Sequence, residues 1–193
     1  MLNNVLKIKF IIFNEVNATD PRNIVEMKII FLFAFSFIAV FQSIAQNALN
    51  LDGVNDYVQT NFSGVSGNNA RTVEAWINTS ANCVPTNGGV QQVIADWGTS
   101  ATGGRFTFNV LWGNAIRLEV QGSGVSGSIP VNDGNWHHVA AVYNPVAGNP
   151  VSLYVDGVLD IAGSLTVSVN TVSNVNMRIG QRVDGINHFY RFY

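Results

Sequence analysis

From Ala48 onward the chain runs in short stretches of alternating apolar and polar residues, broken by clusters of Gly, Asn, Asp, Ser and Pro. No stretch sustains a helical period, and alternation with period two is the mark of strands that turn one face toward a core. The pattern predicts strands at Ala48–Leu51, Tyr57–Asn61, Thr72–Thr79, Gln91–Trp97, Arg105–Leu111, Ile116–Gln121, His137–Tyr143, Val151–Val155, Val158–Ala162 and Met177–Gln181. Asp-Gly pairs at Asp52-Gly53, Asp133-Gly134, Asp156-Gly157 and Asp184-Gly185 tolerate the positive φ of tight turns, and "LYVDGVLD" reads as a two-residue hairpin. So many short strands leave too many edges for one open sheet. The prediction is an all-β, two-sheet antiparallel jelly-roll sandwich, with the loop Ser80–Gly89 at one end.

The start of the chain is different. Met27 opens "MKIIFLFAFSFIAVFQSIAQ", in which Lys28 is a positive head, Ile29–Phe41 an apolar run and Ser43-Ile44-Ala45 a small-x-small cleavage site. This predicts a secretory signal peptide over 27–45, cut after Ala45, with 1–26 as an upstream extension outside the native frame. A membrane span needs roughly 20 apolar residues, and this run is shorter. The expected product is a single domain over 46–193, secreted or at the cell surface, with no membrane span after cleavage. Within 46–193 there are six arginines, no lysine, seven aspartates and two glutamates, a net charge of −3. Such a surface has no basic patch for a phosphate backbone, so nucleic acid is excluded as a partner. Cys83 has no second cysteine in the chain, and is either a free thiol in a loop or bonded to a partner elsewhere.

His137 and His138 are two of the three histidines, and any zinc or acid/base chemistry would pass through them. Successive strand residues point to opposite faces, so these two cannot reach one ion from the same side. His137, Val139, Ala141 and Tyr143 share one face, and Trp136, His138, Ala140 and Val142 the other. Both faces are largely apolar, which predicts a strand covered on both sides with the histidines packed and their ring nitrogens bonded to backbone.

The segments "ALNLDGVNDYVQT", "RTVEAWINT", "NDGNWHHVAAVYN", "VSLYVDGVLD" and "MRIGQ" follow one another in this order at suitable spacing. As an ordered set they resemble the laminin G-like jelly roll of the concanavalin A-like lectin/glucanase superfamily, in its secreted bacterial form, from about Ala48 to Asn187. The resemblance implies that the Trp-His-His segment is part of the sandwich. It also implies that a further Ile-Asp-Glu-Val-like strand would follow "IGQRVDGINHFYRFY", so the chain is expected to be truncated at its C-terminus, with an edge left unpaired.

Glycoside hydrolysis needs two carboxylates facing each other across a cleft. Glu74 and Glu119 are the only glutamates after residue 45, and the Glu-x-Asp-x-x-Glu run of the superfamily's glucanases is missing, so no enzyme is expected. Glu74 shares its parity with Trp76, which reads either as an acid beside a sugar-stacking ring or, the favoured reading, as a hydrogen-bonded Glu with Trp76 in the core. Asp52, Asn55 and Asp56 could hold the structural calcium found near this end of related sandwiches, or could cap their own turn. Arg105, Thr107 and Asn109 on one predicted strand and Arg117, Glu119 and Gln121 on the next form a polar ladder. With Trp112 at the turn, the ladder is a candidate saccharide or protein contact surface; a solvated outer face gives the same pattern. The favoured function is a noncatalytic extracellular recognition module for carbohydrate or protein surfaces, normally part of a larger protein. A glycan-active hydrolase, or a ligand-free spacer or decayed fragment, are the alternatives.

Overall fold

The computed structural model describes residues 48–83, 91–172, 175–186 and 189. The expected leader and upstream extension lie outside these residues. The chain divides into two units, Met1–Ala48 and Leu49–Tyr193, and the described residues of the second form ten strands: β1 Val58–Gln59, β2 Arg71–Asn78, β3 Gln92–Gly98, β4 Arg105–Val110, β5 Ala115–Val120, β6 Ser123–Pro130, β7 Trp136–Tyr143, β8 Val151–Val155, β9 Val158–Gly163 and β10 Arg178–Ile179. They form two antiparallel sheets, a six-stranded one in the order β1-β10-β3-β4-β5-β6 and a four-stranded one in the order β2-β7-β8-β9. The predicted two-sheet sandwich is the observed architecture. Among the described residues no helix is long and apolar enough to cross a membrane.

The period-two pattern decides what lies between the sheets. Phe106, Phe108, Val110, Ile116, Leu118 and Val120 turn inward from β4 and β5, and meet Val139, Ala141, Tyr143, Val151, Leu153 and Val155 from β7 and β8. Trp97 stacks on Phe106 with ring centroids 4.7 Å apart, and Phe106 meets Tyr143 edge-on at 6.3 Å. The guanidinium of Arg71 lies over the same Phe106 ring at 4.9 Å. Its nitrogens donate to the carbonyls of Asn69, Val65 and Gly67, and so tie the loop before β2 to the core.

The observed strands depart from the predicted ones at Tyr57–Asn61, which shrinks to Val58–Gln59, and at three other places. Ala48–Leu51 forms no strand; Leu51 instead packs as a buried side chain close over Gly180, where any Cβ would come within 2.4 Å of Leu51 Cδ1. The strand predicted at Met177–Gln181 shrinks to Arg178–Ile179, which is wedged between β1 and β3. Ser123–Pro130, "SGVSGSIP", is a full strand although its Gly and Ser content reads as a loop. It forms because β5 supplies a ladder on one side and Val125 enters the core. On its other side Asp160 of β9 accepts from the amides of Ser128 and Ile129. Gly127 is required there, since a Cβ would sit 1.9 Å from Asp160 Oδ2. A carboxylate that caps exposed amides protects a sheet edge from pairing with other chains.

Candidate functional site

In β2, Val73, Ala75 and Ile77 face inward, which turns Thr72, Glu74, Trp76 and Asn78 to the outside. The expectation that Trp76 is a core residue is therefore corrected: it is 65% exposed. The space beneath β2 is filled by the smaller inward residues, and the large ring is left on the outer face. The register with β7 sets Trp76 opposite His138, Glu74 opposite Ala140, and Asn78 opposite Trp136. Across β7 and β8, Ala140 stands opposite Tyr154.

These pairings build a shallow face. Ala140 forms its floor, with Glu74 and Tyr154 as cross-strand neighbours, while Trp76 and His138 lie side by side with ring centroids 5.4 Å apart. His138 Nε2 lies 3.6 Å from Glu74 Oε2. Trp136 has the same parity as His138, sits diagonally from Trp76 and is 46% exposed. Large aromatic rings are normally mostly buried, so two open to solvent on one sheet face are informative. The sequence signal was present in "RTVEAWIN", where Trp76 shares its parity with polar Thr72, Glu74 and Asn78.

The two histidines point to opposite faces, as expected, but neither is packed as expected. β7 is covered on one side only, by the core around Val139, Ala141 and Tyr143. His137 bonds carboxylates rather than backbone, with Nδ1 2.8 Å from Asp156 Oδ2 and Nε2 3.1 Å from Asp133 Oδ1. It thus clamps the β8–β9 hairpin turn to the loop before β7. Partial burial pushes the His137 pKa down, but the bonds to Asp156 and Asp133 outweigh it and the net shift is upward. Asp133 is lowered to about 2, chiefly by hydrogen bonds from the Asn135 side chain and amide and then from His137. Asp156 is lowered by His137 and by the His138 amide.

A raised histidine stabilises the fold fully below its unfolded value of about 6.5, and that contribution fades as pH rises through the folded value. The lowered carboxylates stabilise above about 4 and lose their contribution as pH falls through their folded values. The clamp is therefore strongest between about pH 4 and 6.5. Thermal melts from pH 6.5 to 8.5 should show a decline in stability that flattens in His137→Gln; an unchanged slope would remove His137 as its source.

The predicted polar ladder is split by the structure. Arg105, Thr107 and Asn109 do face away from the core, but they are buried, with exposures of 2%, 1% and 0%. The segment after β10 lies against this part of the sheet: the Val183 amide donates to Asp96 Oδ2 at 2.7 Å, and Asp184 bonds Arg105 Nη1 at 2.9 Å. These three residues do not form the solvated face expected for them. Arg117 and Glu119 are half-buried and paired with each other, and Gly124 leaves room for the Arg117 guanidinium. Gln121 is half-buried at the end of β5, and Trp112 is 57% exposed in the short turn between β4 and β5.

At the expected calcium position, Asp52 Oδ1 accepts from the Val54 amide at 2.8 Å and Asp56 Oδ2 from the Asp52 amide at 3.1 Å. Asp52 and Asp56 thus bond the amides of their own turn, while Asn55 is exposed beside them. Among the described residues no group of three or more His, Cys, Asp or Glu side chains is placed to hold a metal ion. Cys83 is a free thiol in the loop after β2, as the first of its two readings had it, and is buried there; its sulfur accepts from Gln92 Nε2 at 3.3 Å and lies 3.5 Å from the Val110 carbonyl.

Two packed antiparallel sheets, six-stranded and four-stranded, make this domain a jelly-roll sandwich. The family model of the laminin G-like group in the Concanavalin A-like lectin/glucanases superfamily matches residues 52–192, and the chain belongs to that family. Among solved structures, it is similar to domains LG4-5 of the mouse laminin alpha1 chain, at 18% identity and a TM-score of 0.45, over 72% of this chain and 39% of that one. It is also similar to a candidate carbohydrate binding protein from Bacteroides ovatus, at 17% identity and a TM-score of 0.52, again over 72% of this chain and 39% of that one. At such identity the second likeness bears on the fold alone, and in each case the match spans well under half of the solved chain. No curated protein matches this one.

Proposed function

We propose that this domain is a noncatalytic recognition module that binds carbohydrate or a protein surface outside the cytoplasm, as one part of a larger secreted or surface protein. The observation that carries this reading is the open face with Trp76, Trp136, His138 and Glu74, where aromatic rings stand beside hydrogen-bonding groups.

The carboxylates of the described residues support a role without hydrolysis, because all but one of them are engaged in holding the fold. Asp52 and Asp56 bond their turn. Asp96 is enclosed by Thr107, Val183 and Arg105. Asp133 and Asp156 hold His137. Asp160 caps β6, Asp184 pairs with Arg105 and Arg182, and Glu119 pairs with Arg117. Among the described carboxylates Glu74 is the open one, 67% exposed, with His138 Nε2 3.6 Å away. A pair of carboxyl groups about 5–9.5 Å apart across a bound sugar is the requirement for glycoside cleavage. A glycan array run with a parallel reducing-sugar assay tests the reading: retention without released sugar is the expected result, and released sugar would overturn it.

A further inference from the structure

We infer that the outer face of the four-stranded sheet recognises an uncharged, hydroxyl-rich sugar chain, with Trp76 as the stacking ring and Glu74 as acceptor for sugar hydroxyls. The inference rests on the reading of the domain as a recognition module, and names the site and the ligand class.

The first support is pre-organisation. Trp76 is 65% exposed, yet its ring is braced by His138 at 5.4 Å and an interplanar angle of 55°. A ring already held in place loses little freedom on binding, which is where much of the cost of association otherwise falls. It also sits on a strand rather than a loop, so its position is fixed by the ladder to β7.

The second support is the chemistry around the ring. The apolar face of a pyranose carries slightly positive C–H bonds and suits the negative face of an indole. Beside Trp76 the register places the Glu74 carboxylate, then the low floor of Ala140, then Tyr154, so acceptor and donor groups flank a surface on which a sugar ring can rest. Thr72, Asn78 and Ser152 add small polar groups on the same face. A few placed polar groups on a mostly apolar surface is the usual build of a small-ligand site.

The third support is charge. On the outward-facing positions of β2, β7, β8 and β9 that the register pairs, Glu74 is the one carboxylate and there is no arginine; Asp160, at the irregularity of β9, is bound to Ser128 and Ile129 of β6. Lysine does not occur after residue 45 at all. Sulfated, phosphorylated or uronic-acid polymers would meet Glu74 with no arginine or lysine to offset it and only the His138 ring beside it, whereas a neutral sugar meets an acceptor.

Affinity electrophoresis of the purified chain tests this, in gels containing mannan, xylan, β-glucan or galactan as neutral probes and heparin or alginate as anionic ones. The expected result is retardation by at least one neutral polymer and by neither anionic one. Trp76→Ala should weaken that retardation by about tenfold, the loss expected for one aromatic contact. Trp76→Phe should restore part of it and Glu74→Gln should weaken it, while Val146→Ala, in the 90% exposed loop position between β7 and β8, leaves it unchanged. Matching thermal melts show that each variant is folded. Retardation by the anionic polymers alone would overturn the ligand class and leave the recognition-module reading standing. Retardation that survives Trp76→Ala would overturn the location, and no retardation by any neutral polymer would overturn the inference itself. The wider reading fails separately, if the array shows sugar release.

Discussion

Replacing Arg105 by methionine is expected to lower the unfolding free energy by about 3–5 kcal/mol at pH 8, the cost of stripping the partner from a buried charge. Asp96 is fully buried; its oxygens accept from the Thr107 hydroxyl and, at 2.7 Å, from the Val183 amide. Arg105 supplies the neighbouring positive charge, with Nε 4.0 Å from Asp96 Oδ2 and Nη1 2.9 Å from Asp184 Oδ2. Methionine fills much of the volume but leaves Asp96 without a cation.

The cost should depend on pH in a definite direction. Burial pushes the Asp96 pKa up to about 6, against the lowering effect of the Thr107 and Val183 hydrogen bonds and of Arg105. A carboxyl raised in the folded state stabilises fully below its unfolded value of about 3.9, and that contribution is lost as pH rises through the folded value. The shift amounts to something on the order of 3 kcal/mol between about pH 4 and above pH 6. Without Arg105 the folded pKa rises further, and Asp96 is neutral at pH 5. Urea unfolding of wild type and Arg105→Met should therefore give a large difference at pH 8 and a smaller one at pH 5. Equal differences at both would mean that Asp96 is not the group left uncompensated.

Trp97→Ala is expected to cost about 3–5 kcal/mol, the range for removing a large aromatic side chain from a core. Trp97 is 2% exposed, stacks on Phe106, and donates from Nε1 to the Val65 carbonyl at 3.2 Å. Alanine leaves a cavity beside Phe106 and removes one of the two hydrogen bonds to the Val65 carbonyl, which keeps its bond from Arg71 Nη1. The loop at Gly64 is fitted against the same ring: a Cβ there would lie 2.1 Å from Trp97 Cδ1, and its φ of 79° disfavours any side chain. Trp97→Phe keeps an aromatic contact with Phe106 and should recover part of the loss. A cost below about 1.5 kcal/mol for Trp97→Ala, typical of a volume-conserving swap, would contradict the packing described.

The sandwich was legible because the signals that define it are local. "LYVDGVLD" carries its turn in the residues themselves, and Asp156 and Gly157 adopt φ of 51° and 78°, the positive pair that a tight hairpin demands. β6 was not legible, since the forces that hold "SGVSGSIP" extended are a ladder from β5 and a carboxylate from Asp160, and neither is encoded in its own composition. The fate of Arg105, Thr107 and Asn109 was hidden for a related reason. Their alternation states that they avoid the core, but not that Val183 and Asp184, some 80 residues later in the chain, lie against them. The site at Trp76 was within reach. Its parity with Thr72, Glu74 and Asn78 marks an outer face, but the general expectation that tryptophan is buried points the other way. His137 needed three separated positions at once, and only the fold brings Asp133 and Asp156 to its two nitrogens.

The central claim is that this jelly roll recognises its ligand on the open aromatic face of the four-stranded sheet. Amide chemical-shift perturbation of the isotopically labelled chain, titrated with fragments of whichever neutral polysaccharide retards it, tests this residue by residue. The account predicts shifts concentrated along β2 and β7, at Glu74, Trp76, Ala140 and His138, with the indole signal of Trp76 moving most. Shifts confined to Trp112, Arg117 and Glu119, with β2 and β7 unmoved, would contradict it.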